Sequence, residues 1–459
     1  FLTRSPEYSS SIFKKIRKQI EKRNLGIPSR FLYDALMPDE MKGFLKEKFD
    51  LKKKDMIPGG RYHNMHDLFA LPNPKKPALQ NEPLSIIRKK YLDDHQSMFS
   101  AMDEGDVLLH FPYHTYDYVL RLFNEAALDP QVEEIKATFY RIASESFISN
   151  ALISAANNGK KVTVFIEIKA RFDEHNNLKW ANKMEDAGIK IIYSIPGLKV
   201  HAKVALFRKR LHDGTARDYG YFGTGNFNEK TATLYADQAL LTRNDEMTDE
   251  LNNVFEYLYK RSSVAPFKHL LVSQFNIVDE FKKKIDREIA HAKAGRDAYI
   301  IIKLNNFQDD VMIEKLYEAS NAGVKIDLIV RAICCLRPGV KGMSENITVR
   351  RIVDRYLEHS RMFYFRNDGS DEIYMGSADW MKRNLYRRVE VVFPIYDDKL
   401  KQEIRKFLEI QLTDSMKATY LDADLCNIPI GKQGKEIQSQ LDFHNWLKQA
   451  ESVEESTSS

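Results

Sequence analysis

Cysteine is scarce in this sequence: three among 459 residues, at Cys334, Cys335 and Cys426. Two are adjacent and the third is distant, so there is neither a disulfide framework nor a zinc spacing, which fits a reducing cytosol. No apolar run approaches the roughly 20 residues that a membrane-crossing helix needs, and no signal peptide opens the chain. An excess of one charge sign is also lacking. The 70 basic and 65 acidic residues leave a net charge of only +5, so the bulk field does not point to a nucleic-acid binder. There is no Walker A pattern and no His-Glu-x-x-His, and Gly223-Thr224-Gly225 lacks the third glycine of a dinucleotide loop. A nucleotide, if bound, is held some other way. The chain starts at Phe1 within a charged segment, and the expectation is a fragment without its natural N-terminal part.

What is present is ample material for buried cores: 43% hydrophobic residues, with 26 Phe and 22 Tyr. The length suggests about three domains. Residues 1–87 mix helical patterning with loops. Ser11 to Lys22 reads as an amphipathic basic helix and Ile57 to Asn64 as a turn-rich loop. Pro72, Pro74, Pro77 and Pro83 make Leu71 to Leu84 a linker. From about residue 88 the texture is α/β. Val162 to Ile168 is a buried strand by its apolar run. Leu178 to Ala187 is a helix closed by Gly188, and Lys190 to Tyr193 is the next strand. Val204 to Phe207 and Tyr219 to Gly223 are further strands. Asp249 to Tyr259, Phe275 to Ala294, Asp398 to Thr413 and Ile437 to Gln449 read as helices. Glu451 to Ser459, acidic and serine-rich, reads as disordered.

The second half repeats the order of the first. Ala155-Ala156-Asn157-Asn158-Gly159-Lys160-Lys161-Val162 resembles Ala319-Ser320-Asn321-Ala322-Gly323-Val324-Lys325-Ile326, and the strand Ile326 to Val330 corresponds to Val162 to Ile166. The repeat carries chemistry. Gly197-Leu198-Lys199-Val200-His201-Ala202-Lys203 is followed by Gly223-Thr224-Gly225-Asn226, and Glu358-His359-Ser360-Arg361 by Gly376-Ser377-Ala378-Asp379. An acid lies 14 residues beyond each turn glycine, Asp237 after Gly223 and Glu390 after Gly376.

A neutral imidazole is a competent nucleophile toward phosphorus near pH 7. Residues two apart on an extended segment share a face, so Lys199, His201 and Lys203 are expected to line one pocket. There the two cations would hold an anionic phosphate. His359 has the same setting, with Arg361 presenting a planar fork to phosphate oxygens. Asp237 and Glu390 are candidates to bind the far ring nitrogens of the two histidines and fix their tautomers. Asn226 and the Thr224 and Ser377 hydroxyls are candidates for phosphate oxygens; a plain tight turn explains the two hydroxyls equally well. Arg141, Lys169, Arg171 and Arg331 follow strands at their carboxyl ends, where open α/β sheets bind ligands, and together suggest a polyanion pocket.

The duplicated plan resembles the phospholipase D superfamily, whose pattern is His-x-Lys-x-x-x-x-Asp. Here Arg208 and Arg366 stand where the aspartates belong and Arg361 replaces the second lysine, which counts against simple phosphodiester hydrolysis. Longer segments resemble bacterial polyphosphate kinase of the phospholipase-D-like type. They are Lys169 to Glu174, Pro196 to Lys203, Gly223 to Ala232, Ile333 to Gly339, Tyr356 to Arg361, Gly376 to Met381 and Gly59 to Asn64. The resemblance implies an α/β fold with two phospholipase-D-like catalytic domains related by internal duplication, at 88–268 and 269–459. The remainder of an α+β head domain would precede them at 1–87, without the family's N-terminal helical domain.

It further implies reversible transfer of the ATP γ-phosphate to His201 and then to the end of inorganic polyphosphate. His359 would stabilise or protonate the bridging oxygen. Tyr235, Arg331 and His359 would bind ATP or ADP. Arg141 and Arg171 match positions assigned to Mg²⁺-bound phosphate; a guanidinium cannot ligate a cation, so the phosphate oxygens beside the metal are the expected contact. A homo-oligomer with no specific nucleic-acid partner, cytoplasmic and with peripheral attachment to the inner membrane left open, completes what the resemblance implies. The rival readings are a phospholipase-D-like phosphodiesterase and a non-catalytic polyanion-binding scaffold.

Overall fold

The computed structural model describes residues 30–62, 65–168, 170, 173–193, 197–260, 264–431 and 436–457. The chain divides into two compact units, Phe1–Pro83 and Leu84–Ser459. The expected helix at Ser11 to Lys22 lies outside the described residues. In the first unit, β1 (Phe31–Asp34) and β2 (Met56–Gly59) form a parallel pair around the helix Asp39–Lys48. The loop expected from Ile57 is thus a strand at its start. Pro58 is tolerated there because, in a two-stranded sheet, β2 needs to pair along one edge only. Residues 71–83 form no helix or strand and are exposed.

The second unit is α/β. Its first half holds β3 (Val107–Phe111), β4 (Val132–Phe139), β5 (Lys161–Ile166), β6 (Lys190–Tyr193), β7 (Lys199–Val200), β8 (Lys203–Arg210), β9 (Ala216–Gly223) and β10 (Tyr235–Thr242). The second half holds β11 (Leu271–Val272), β12 (Tyr299–Leu304), β13 (Lys325–Val330), β14 (Ile347–Ile352), β15 (Leu357–Glu358), β16 (Arg361–Phe365) and β17 (Glu372–Gly376). It ends with β18 (Arg388–Val389), β19 (Val391–Ile395), β20 (Ala418–Leu421) and β21 (Asn427–Pro429).

Two large sheets result. One runs β3-β10-β9-β8-β4-β5-β6, the other β11-β19-β17-β16-β12-β13-β14 and on to β20-β21. Over these first seven strands, successive neighbours have the same sense in both sheets, antiparallel as far as β4 and β12, then parallel. The parallel strands at residues 162–166 and 326–330 are buried throughout and apolar except for Thr163 and Asp327, as befits strands covered on their faces. The matched glycines Gly159 and Gly323, at φ +81° and +94°, let the chain leave the helices Phe147–Asn157 and Asp310–Asn321 in the left-handed conformation. One buried cluster joins Val204, Phe222 and Leu240 of the first sheet to Met362, Met375 and Phe393 of the second. The rings of Phe222 and Phe393 lie 5.3 Å apart, so the two sheets share a core.

Two expectations are corrected. The helix expected at Leu178 to Ala187 begins earlier, spanning Glu174–Asp186. Its first turn is held by buried Asn177, which donates to Tyr140 O and Glu167 O and accepts from Ile142 N. The acidic tail from Glu451 is not disordered from its start: the last helix spans Ser439–Thr457. Glu451 is buried against Lys89 Nζ at 2.6 Å, a partner that composition could not reveal. No helix among the described residues is long and apolar enough to cross a membrane.

Candidate active site

Each half passes a two-residue strand to the other. β7 pairs with β18, Lys199 opposite Arg388 and Val200 opposite Val389. β15 pairs with β10, Leu357 opposite Tyr235 and Glu358 opposite Ala236. The next residue on each short strand is the histidine. His201 N and Ala202 N donate to Val389 O at 2.9 and 3.1 Å, and His359 N and Ser360 N to Ala236 O at 3.1 and 3.0 Å. The residue after each of those carbonyls is the acid. His201 Nδ1 therefore lies 2.8 Å from Glu390 Oε2, and His359 Nδ1 lies 2.8 and 2.9 Å from the two Asp237 oxygens. Each imidazole is oriented by a carboxylate of the opposite half.

The 14-residue spacing has its own cause. The hydroxyl of each turn donates to the acid of its own half, Thr224 Oγ1 to Asp237 Oδ1 at 2.6 Å and Ser377 Oγ to Glu390 Oε2 at 2.5 Å. Each hydroxyl thus holds a carboxylate within its turn, the turn having been expected as readily as a phosphate contact. A Cβ at Gly225 would overlap the Asp237 carboxylate, which is why the turn needs glycine there.

A carboxylate only accepts, so Nδ1–H of each ring donates and Nε2 keeps its lone pair. His201 is 8% exposed. Burial, then the charges of Lys203, Arg388 and Arg361, hold its pKa well below the usual value, so the ring is neutral. His359 is pushed down to about 4, chiefly by burial; Asp237 opposes this and Arg361 adds to it. Burial works against the Asp237 carboxylate, yet His359, the Thr224 hydroxyl and Arg361 together hold it below the usual range. Lys203 is 1% exposed and burial lowers its ammonium strongly, with Glu390 opposing; its Nζ donates to His201 O. Arg361 Nη1 donates to His359 O at 2.8 Å, while its Nε and Nη2 face Asp379 at 3.3 and 3.4 Å.

The remaining sequence candidates surround this network. The Tyr235 ring lies 5.2 Å from His359. Arg331 is half-buried, and its Nη1 is a buried donor without a hydrogen-bond partner among the described residues; burial and Arg361 lower its guanidinium. Asn226 Oδ1 is likewise buried and unpartnered. Arg141 is ion-paired through Nε with Asp173 at 2.9 Å. Lys199 is half-buried on β7. Lys169 and Arg171 lie outside the described residues. Arg208 and Arg366 take no part: they form strand-end ion pairs with Asp218 at 2.6 Å and Asp297 at 2.5 Å.

The sequence reading missed four contributors. Tyr140 packs its ring 4.8 Å from His201, edge to face. Asn384 donates to Glu390 Oε1 at 2.6 Å, and Arg388 Nη1 lies 3.6 Å from the same oxygen. Asp379 takes the place that Asn226 has in the first half, a substitution visible in the repeat; Asn384 left no signal of this kind. Among the described residues no group of three His, Cys, Asp or Glu side chains could hold a metal. The nearby carboxylates Asp237, Glu390 and Asp379 already serve histidines and Arg361, so these residues do not form a resident Mg²⁺ site.

Stability should fall on acidification. Both folded imidazoles bind protons more weakly than an unfolded one near 6.5, so between about pH 6.5 and 4 the unfolded chain takes up more protons. The unfolding midpoint from calorimetry should be flat above pH 7 and drop below 6.5, less steeply in His359→Asn. A slope unchanged in that variant would show that His359 is not held neutral by the fold.

The chain matches three family models: polyphosphate kinase middle domain over residues 2–71, C-terminal domain 1 over 97–264 and C-terminal domain 2 over 270–440. It is 42% identical to the polyphosphate kinase of Vibrio parahaemolyticus over 98% of this chain and 66% of that protein. It is 41% identical to that of Escherichia coli K12 over 99% of this chain and 67% of that protein. The crystal structure of polyphosphate kinase from Porphyromonas gingivalis is similar at a TM-score of 0.85 and 43% identity, over 93% of this chain and 66% of that one. The chain thus spans about two thirds of the length of these relatives.

Proposed function

The chain belongs to the polyphosphate kinase family, and on that premise we propose that it transfers the γ-phosphate of ATP reversibly, through His201, to the end of inorganic polyphosphate. The observation that carries this reading is the His201 ring itself. It is neutral, its Nδ1–H is engaged by Glu390, and its Nε2 lone pair has no hydrogen-bond partner among the described residues. Nε2 attacks the γ-phosphorus in line as the bond to the β-phosphate bridging oxygen breaks, releasing ADP. A terminal oxygen of polyphosphate then attacks the same phosphorus. The P–N bond breaks, its electron pair returns to Nε2, and the chain is one unit longer.

Lys203 and Arg361 offset the charge that builds on the transferring group. Tyr235, Arg331 and His359 hold the nucleotide, and the unpartnered Arg331 Nη1 and Asn226 Oδ1 support that placement of polar groups around it. Lys199, Arg141 and Arg171 contact phosphate oxygens. Mg²⁺ enters with the nucleotide, as the MgATP substrate, a reading supported by the lack of a carboxylate cage among the described residues. The matched strand orders support an internal duplication into phospholipase-D-like domains at 88–268 and 269–459, with a head-domain remainder at 1–87. A homo-oligomer in the cytoplasm fits the same reading.

Turnover assayed in both directions on the full natural chain tests it. ATP should be consumed as polyphosphate lengthens, and ADP with polyphosphate should yield ATP. Hydrolysis of a generic phosphodiester without any nucleotide, in place of these reactions, would overturn the proposal.

A further inference from the structure

Behind His359 four polar side chains are almost wholly buried: Lys303, Glu358, Gln411 and Gln440. Lys303 Nζ lies 2.9 Å from Glu358 Oε2, which also accepts from Gln411 Nε2 at 2.9 Å. Gln440 Nε2 donates to Glu358 Oε1 at 2.8 Å and to Tyr356 O at 2.9 Å, and Gln440 Oε1 accepts from Tyr356 N at 3.0 Å. Gln411 is on the helix Asp398–Leu412 and Gln440 on Ser439–Thr457. Those helices are fixed to the first half by Glu403 with His110 at 2.8 Å, His444 with Ser85 O at 2.7 Å and Glu451 with Lys89 at 2.6 Å.

The first half holds its short strand differently: buried Glu167, from beyond the end of β5, accepts from Val200 N at 3.2 Å. The repeat puts Val200 where Glu358 stands and Thr138 where Lys303 stands; Thr138 Oγ1 donates to Ala202 O much as Lys303 Nζ donates to Ser360 O. At these two equivalent positions, then, an uncharged pair suffices for the strand packing. A buried ion pair is weak evidence for stability and calls for another reason. The strand it acts on is β15, two residues long, which leads directly into His359 and pairs with Tyr235.

We propose that Gln440 and Gln411, acting through Glu358 and Lys303, are positioning residues: they clamp β15 to β10 and so set His359 and Tyr235 for the nucleotide. This rests on the function proposed above. The group to vary is Gln440, which bonds Glu358 and the Tyr356 backbone. Lys303 of β12 and Gln411 of the neighbouring helix hold the other Glu358 oxygen, and the Tyr113 phenol packs on Tyr356. The charged groups on the adjoining segments are Arg355, Asp354, which Gln438 holds, and Asp414, which accepts from Ser439 N.

Gln440→Glu places a second carboxylate against Glu358 at pH 8. As pH falls the new acid takes a proton early, because a like charge and burial both raise its pKa. Its one O–H then donates to Glu358, restoring that one of the amide's two donations and leaving the bond to Tyr356 O lost. At pH 8 the KM for ATP should rise about 10-fold or more, with kcat affected less, and the deficit relative to the parent should shrink toward pH 6. Gln440→Leu should show a deficit that does not change with pH. Amide exchange at 357–360 should be faster than in the parent at pH 8 and approach it at pH 6. Gln411→Glu gives the same readings if Gln440→Glu does not accumulate. Parent-like KM and exchange at pH 8, or a deficit equal at both pH values, overturns the clamp. A parent chain that performs neither transfer reaction sinks the functional reading alone, since amide exchange still judges the clamp.

Discussion

Incubated with γ-labelled ATP, the His201→Ala protein should carry no acid-labile, base-stable phosphate, and its turnover in both directions should fall to background. His201 is the ring whose Nε2 lone pair is left without a hydrogen bond among the described residues; His359 Nε2 already lies 3.4 Å from Arg361 Nη1. A guanidinium N–H directed at that lone pair lowers its nucleophilicity, so the second imidazole should not replace the first. His359→Ala should accordingly slow turnover more than it reduces labelling. Label that persists at full stoichiometry in His201→Ala, mapped by peptide mass spectrometry, would remove His201 from the reaction.

Glu390→Gln should cost nearly as much with a smaller structural change. Asn384 Nδ2 donates to Glu390 Oε1 at 2.6 Å and the Arg388 guanidinium lies 3.6 Å from the same oxygen, whereas the Ser377 hydroxyl on Oε2 can rotate toward Val391 O. The amide of the variant is therefore expected to turn its carbonyl oxygen toward Asn384 and Arg388. Its NH2 then occupies the place of Oε2, facing His201 Nδ1. Two donors cannot share that contact, and the ring moves its proton to Nε2, which removes the nucleophilic lone pair. The drop in kcat should be about 10³- to 10⁴-fold, the scale known for a wrongly held tautomer in a hydrolase triad. Rates of His201 phosphorylation measured in a rapid-quench experiment check it. A loss below about 10-fold would mean that Glu390 does not fix the tautomer. Asp237→Asn is the counterpart at His359, where both carboxylate oxygens reach Nδ1.

The repeat was legible because both halves keep the same punctuation. Gly159 and Gly323, the two His-x-cation motifs and the equal 14-residue spacings mark matching strand ends and turns, and the apolar runs at 162–166 and 326–330 became matching parallel strands. Tyr140 and Asn384 were not legible, since neither belongs to a repeated pattern; they reach the site only through packing. The Ser439–Thr457 helix was misjudged at its end because Glu451 looks like a solvated acid until Lys89 is brought to it across 362 residues of sequence.

The sequence by itself determined the α/β alternation, the pairing of two histidine motifs with two acids, and the cations grouped at strand ends. These follow from local periodicity and short-range spacing, which the chain carries regardless of its surroundings. Only the tertiary structure decided that each imidazole takes its carboxylate from the other half. That choice depends on β7 lying beside β18 and β15 beside β10, contacts over 120 to 190 residues that no local pattern encodes. The protonation states were decided there too, because burial and neighbouring charge, rather than residue type, hold both rings neutral.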